Sequence, residues 1–140
     1  MLLPALDALV PAAAPVDNAA APTSQGLCLL VEDDAGVRQL VRRHLLELGY
    51  AVIEAENGVE ALDMLLRVPD IVALVSDIAM PGGVDGREVA RQALTRGDIR
   101  RVVLMSGFAP ETGPPLPVPL LAKPFTKAEL AAALQQAEQR

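Results

Sequence analysis

The chain has 140 residues, 51% of them hydrophobic and 21% charged, which is material for one buried core with a short tail to spare and excludes wholesale disorder. A net charge of -6 repels a phosphate backbone, and the only aromatics are Tyr50, Phe108 and Phe125, too few for a base-stacking platform; both argue against direct nucleic-acid binding. The single Cys28 allows neither an internal disulfide nor a cysteine-rich metal site, and no apolar stretch approaches the roughly 20 residues that span a bilayer.

Residues 1–25 are rich in Ala and Pro, with Pro4, Pro11, Pro15 and Pro22 spaced through them, and hold neither period 2 nor period 3.6. We expect a tail or linker of polyproline-type stiffness there, in which Leu2, Leu3, Leu6, Leu9 and Val10 could form a small docking patch, and a folded domain over residues 26–140. No basic residue precedes Arg38, and Pro4, Asp7 and Pro11 interrupt any signal-like run, so a cytoplasmic protein with no membrane partner is expected.

From residue 27 short apolar runs alternate with amphipathic stretches. Residues 27–31 are continuously apolar, the pattern of a strand buried on both faces. Asp34 can cap a helix carrying Val37, Leu40, Val41, Leu45 and Leu48 at near-helical spacing, and Gly49 can end it. A second strand follows over 51–55. Asn57 with Glu60 predicts a capped helix whose apolar face holds Ala61, Leu62, Leu65 and Leu66. Residues 71–75 form a third strand running into Ser76 and Asp77, residues 80–86 are turn chemistry, and 87–94 read as helix. Strands are expected at 102–105 and 120–122, then a last helix opened by the capping box of Thr126 and Glu129 and running to about Gln139, with no output domain expected on this chain.

Alternating strands and helices, with strands apolar throughout, predict an α/β fold: a parallel sheet covered on both faces, whose ligands lie beyond the carboxyl ends of the strands. Those ends carry Glu32 and Asp33, Asp77, Ser106 and Lys123. Three carboxylates at one edge need relief, because two unit charges about 4 Å apart cost on the order of 4 kcal/mol at an effective dielectric near 20. Either one carboxyl is protonated or a cation sits among them, and an all-oxygen set without His or Cys suits Mg2+. A carboxylate beside such a cation can act as nucleophile toward a phosphoryl group, with Lys123 and Ser106 supplying donors for the developing charge. No glycine-rich loop ending in Gly-Lys-Ser/Thr occurs, so a nucleotide donor is not indicated.

The strings Leu29-Leu30-Val31-Glu32-Asp33-Asp34, Ser76-Asp77-Ile78-Ala79-Met80-Pro81, Leu104-Met105-Ser106-Gly107 and Lys123-Pro124-Phe125 resemble, in order, the signature blocks of the response-regulator receiver domain of two-component signalling. The resemblance covers about residues 27–139. It implies a flavodoxin-like, CheY-like five-stranded parallel sheet in the order 2-1-3-4-5. It also implies roles: Asp77 as phosphoacceptor, Mg2+ held by Glu32, Asp33, Asp77 and the backbone carbonyl of Ala79, and Ser106 and Lys123 engaging the phosphoryl group. The donor it implies is a phosphohistidine on a sensor histidine kinase or a histidine phosphotransfer protein, and it implies a cis bond before Pro124. Such a domain is a phosphoacceptor rather than an enzyme in the ordinary sense, turning over only its own phosphoryl group.

Several residues have structural readings instead. Asp34 is expected as a helix cap rather than a ligand, Asp70 and Asp85 as turn residues, His44 as a solvated surface residue and Cys28 as core. Two departures from the family stand out. The 16 residues between Ser106 and Lys123 hold five prolines, Pro110, Pro114, Pro115, Pro117 and Pro119, each costing about 3 kcal/mol inside a helix. The family's fourth helix is therefore expected to be shortened or missing, with an irregular loop over 107–119 and at most one turn near 110–112; the dimer that uses this helix and the fifth strand is not expected. The second departure is Leu120, which stands where many receivers carry a switch aromatic. The loop over 80–86, one residue longer than the common form, together with the Ser-Gly and Lys-Pro-Phe blocks, is similar to receivers of hybrid sensor kinases. The expected function is thus a phosphorelay receiver, as a stand-alone regulator or the terminal domain of a hybrid kinase. The competing reading is a receiver-fold binding module that works without phosphorylation. A hydrolase of the aspartate-nucleophile kind would need a second acid where Ala79 stands.

Overall fold

The computed structural model describes residues 25–107 and 116–138. They form strand β1 (Gly26–Val31), helix α1 (Ala35–Glu47), β2 (Tyr50–Ala55), α2 (Gly58–Arg67), β3 (Ile71–Asp77), α3 (Gly86–Arg96), β4 (Arg101–Ser106), β5 (Leu120–Ala122) and α4 (Lys127–Glu138). The five strands make one sheet in the order β2-β1-β3-β4-β5, and every neighbouring pair is parallel. This is the parallel sheet that the strand-and-helix alternation predicts, in the CheY-like strand order that the resemblance implies. The Ala/Pro-rich stretch over 1–24 lies outside the described residues.

The continuous apolar runs follow from burial on both faces. Successive residues of a strand point to opposite sides, so Leu29 and Val31 of β1 enter a cluster with Ala61 and Leu65 of α2 and Val89 and Ala93 of α3. Cys28 and Leu30, between them, enter a second cluster with Val41 and Leu45 of α1 and Leu130 and Leu134 of α4. Leu74 and Val75 of β3 divide in the same way. Each helix lays one stripe on the sheet, and residues 100° off that stripe remain in water. Leu66 of α2 is accordingly 87% exposed and Leu40 of α1 47%, whereas the periodicity places both with the apolar face.

Helix boundaries follow the caps. Asp34 accepts from the Val37 amide at 2.9 Å, Asn57 from Glu60 at 2.8 Å and Asp85 from Glu88 at 3.1 Å. Thr126 and Glu129 satisfy each other's amides reciprocally, at 3.1 and 2.8 Å. Helix α3 starts one residue earlier and ends two residues later than expected, stopping where Gly97 takes φ 82°, a left-handed conformation open to glycine. Strand β3 runs through Ser76 and Asp77 rather than ending before them. Asp70 is a turn residue at φ 67°. His44 corrects its expectation: it is half-buried, and its Nδ1 is enclosed without a hydrogen-bond partner.

Among the described residues, no helix stands between β4 and β5, and four helices are present where the family has five. Residues 116–119 are irregular; the turn expected near 110–112 lies outside the described residues. Leu116 and Val118 pack onto the cluster beneath α2 and α3, and the Leu104 amide donates to the Pro119 carbonyl at 3.0 Å. Leu120 is 54% exposed.

Candidate functional site

The five strand-end residues, Glu32, Asp33, Asp77, Ser106 and Lys123, all lie at the carboxyl edge of the sheet. Glu32 is the first residue past β1. Its amide still donates to the Ala55 carbonyl of β2 at 3.1 Å, while its side chain turns inward and is 1% exposed. Asp77 closes β3, also buried. The two strands are hydrogen-bonded neighbours, with Val31 opposite Ser76, so the sheet register itself sets these carboxyl groups side by side. Asp33, the next residue after Glu32, is exposed and completes the group: one carboxylate oxygen from each of Glu32, Asp33 and Asp77 lies within 4.8 Å of the others.

Lys123 reaches this cluster from the far side. It follows edge strand β5, its amide donates to the Ser106 carbonyl at 2.9 Å, and the peptide bond to Pro124 is cis, as the resemblance implies. Its Nζ is 2.8 Å from Glu32 Oε1 and 3.2 Å from Asp77 Oδ2. Burial works against the ammonium, but the hydrogen bond to Glu32 and the charges of Asp77 and Glu32 outweigh it and hold Lys123 above its ordinary range. For Glu32 burial wins: it pushes the carboxyl up, against the hydrogen bonds from Lys123 and the Asp34 amide. One ammonium beside three carboxylates leaves the edge acidic, the condition under which a hard cation is favoured.

Ser106 is buried at the end of β4, but its Oγ donates to the neighbouring Gly107 carbonyl at 3.2 Å rather than to the carboxylates. Ala79 lies exposed in the loop after β3. Asp34 is a cap, as expected, and stands outside the carboxylate cluster; Asp85, expected as a turn residue, caps α3. A groove of about 830 Å3 opens beside Asp33, lined by Glu56, Asn57, Glu60, Asp63 and Pro81 among others.

Two contributors escape sequence reasoning. Gly86 is the start of α3, where a Cβ would come within 1.9 Å of the Asp77 carbonyl oxygen; only a residue without one lets the helix approach the acceptor strand so closely. Arg38 on α1 donates to the Glu32 carbonyl at 2.8 Å and to Glu54 at 3.1 Å. A glycine directly after a capping Asp was a visible signal for the first. Nothing short of the tertiary fold points to the second.

Residues 28–113, more than half of the chain, match the family model described as the response regulator receiver domain. The chain belongs to this family. The receiver is 46% identical over 79 residues to the response regulator MprA of Mycobacterium avium (strain 104), a stretch covering 56% of this chain and 33% of that relative, so the match spans about a third of the relative's length. Its fold resembles a response regulator receiver protein from Sinorhizobium medicae WSM419, with TM-score 0.74, 30% identity and coverage of 83% of this chain and 96% of that one. The receiver domain of the hybrid histidine kinase CckA matches at TM-score 0.64 and 35% identity, over 81% of this chain and all of that domain, in keeping with the hybrid-kinase likeness of the loops. Among the described residues, no helix of the receiver is long and apolar enough to cross a membrane.

Proposed function

We propose that this receiver takes a phosphoryl group onto Asp77 from a phosphohistidine of a sensor histidine kinase or histidine phosphotransfer protein, with Mg2+ as its cofactor. The observation that carries the reading is the convergence of Glu32, Asp33 and Asp77 within 4.8 Å, with the Lys123 ammonium against two of them. An all-oxygen, carboxylate-rich set with an exposed member fits a hard divalent cation that keeps several waters. Glu32, Asp33, Asp77 and the carbonyl of Ala79 are the groups that would hold it, and when bound it neutralises charge on the phosphoryl oxygens.

In this reading an Asp77 carboxylate oxygen attacks phosphorus, an acyl-phosphate P–O bond forms, the P–N bond to the donor imidazole breaks, and its electron pair returns to the ring nitrogen. Lys123 pairs with the transferred oxygens. Ser106 turns its hydroxyl from Gly107 to the phosphoryl group. The domain catalyses only its own phosphorylation and slow dephosphorylation. Residues 26–140 constitute this cytoplasmic unit, with 1–25 as its tail or linker.

The test is incubation of the full chain with Mg2+ and acetyl phosphate, read by intact mass and by label stability. One phosphoryl group, stable in acid and labile in base, is expected on the wild type and absent from Asp77→Asn. Labelling that persists in Asp77→Asn overturns the assignment, and a wild type that never labels but still binds partners without regard to Mg2+ favours the phosphorylation-independent module.

A further inference from the structure

Glu32 has left the strand ladder on one side only. Its amide is paired with Ala55, but past the end of β1 its carbonyl has no strand partner, and a main-chain acceptor in that position needs a donor from elsewhere. Arg38, one turn into α1, supplies it. Its side chain is 14% exposed, Nη1 donates to the Glu32 carbonyl at 2.8 Å, and Nε donates to Glu54 Oε1 at 3.1 Å. Glu54 in turn takes Arg42 Nε on its other oxygen at 3.1 Å, and Glu56 Oε2 lies 4.0 Å from Arg38 Nη2. The carbonyl that Arg38 grips belongs to the peptide joining Glu32 to Asp33, the two consecutive carboxylates of the cluster. That peptide is thereby clamped between α1 and the end of β2.

We propose that Arg38 is a positioning residue for the cation site: by holding the Glu32–Asp33 peptide against Glu54, it presets the distance between the Asp33 and Glu32 carboxylates. The inference rests on the reading of this cluster as a Mg2+ site. Glu32 is held through its own side chain by Lys123 and the Asp34 amide, whereas Asp33 is exposed, so the direction of its side chain follows from its backbone. A guanidinium suits the task because its fork serves two acceptors at once in a fixed plane; an ammonium on a flexible stem serves them poorly.

Outer partners that orient metal ligands carry about 10- to 100-fold in affinity. Titration calorimetry of the full, metal-free chain with Mg2+ tests the proposal, with Arg38→Met, Arg38→Lys and Glu54→Gln measured well below their melting temperatures. Ile99→Val, a buried change two residues before β4 and so beyond the end of that strand away from the site, reports what lowered stability does by itself. The expected result is Mg2+ binding weakened about 10-fold in Arg38→Met, part of it restored in Arg38→Lys, a smaller loss in Glu54→Gln and none in Ile99→Val. Should Arg38→Met fail to fold, the Arg38→Lys and Glu54→Gln titrations decide. Unchanged affinity in the Arg38 and Glu54 variants, beside a wild type that binds, overturns the positioning role alone. A wild type with no measurable Mg2+ binding overturns the reading of the site and this role with it.

Discussion

The ammonium of Lys123 lies 2.8 Å from Glu32 Oε1, although Lys123 follows edge strand β5 and Glu32 follows β1, with β4 and β3 between them in the sheet. One cation thus ties the edge of the fold to its centre. Replacing it with an apolar chain leaves Glu32 buried and both carboxylates without their counter-ion. Removing one partner of a buried pair costs 3–5 kcal/mol at full burial; because the Lys123 side chain is 22% exposed, about 2 kcal/mol is expected for Lys123→Met at neutral pH. Urea unfolding at pH 7 and again near pH 4.5 checks this, and the penalty is expected to shrink in acid as Glu32 takes up a proton.

Glu32 itself makes stability depend on pH in a defined direction. Burial raises its folded pKa above the ordinary 4.5, so the folded state binds that proton more tightly than the unfolded one. Its contribution is full below pH 4.5 and is lost as pH rises through the folded value. Glu32→Gln removes this titration. In metal-free thermal melts from pH 4.5 to 7, the wild type is expected to lose ground steadily to Glu32→Gln; a difference that moves the other way contradicts the burial argument. Lys123 is raised as well, so its contribution persists below pH 10.5 and fades only above that.

Gly86 and Gly97 separate close approach from backbone conformation. An Ala Cβ at 86 meets the Asp77 carbonyl oxygen at 1.9 Å and the Ile78 Cα at 2.9 Å, whereas at Gly97, with φ 82°, nothing lies within 4 Å. Gly86→Ala is expected to cost about 3 kcal/mol, because main chain must move, and to depress Mg2+ binding and Asp77 labelling. Gly97→Ala costs about 1 kcal/mol of left-handed strain and leaves binding and labelling unchanged. Denaturant titration and calorimetry on the two variants distinguish the effects.

Leu65 and Leu66 are adjacent in α2 but differ in surroundings, at 5% and 87% exposed. Leu65→Ala opens a cavity under the sheet and is expected to cost about 2–5 kcal/mol, and Leu66→Ala less than about 0.5 kcal/mol. Chemical denaturation of the pair measures the difference directly.

Much of this was legible from local pattern. The strand interiors are apolar runs because both faces of the sheet are covered, with polar or charged residues such as Glu54, Ser76, Asp77, Arg101 and Ser106 near the strand ends, and that pattern by itself implied a parallel sheet. The predicted caps Asp34, Asn57 and Thr126 accept from the amide three residues further on, as the capping rules require. The carboxylates stood at strand ends, and the five prolines before Lys123 ruled out a regular helix across that stretch, an argument that needs only the missing amide and the ring's clash.

What periodicity could not resolve was the fate of residues near the margin of a stripe. Leu40, Leu66 and His44 depend on how far each helix is rotated against the sheet, which the packing of neighbours decides. The amino-acid sequence by itself determined the fold class and the chemical types at the sheet edge, because these rest on interactions between residues close in the chain and on burial of whole elements. Only the tertiary structure decided that Lys123 touches Glu32 and Asp77, that Arg38 clamps the peptide between Glu32 and Asp33, and that Ser106 bonds its own neighbour's carbonyl. Those contacts join segments up to 91 residues apart, and their geometry comes from strand order and register, which no local pattern encodes.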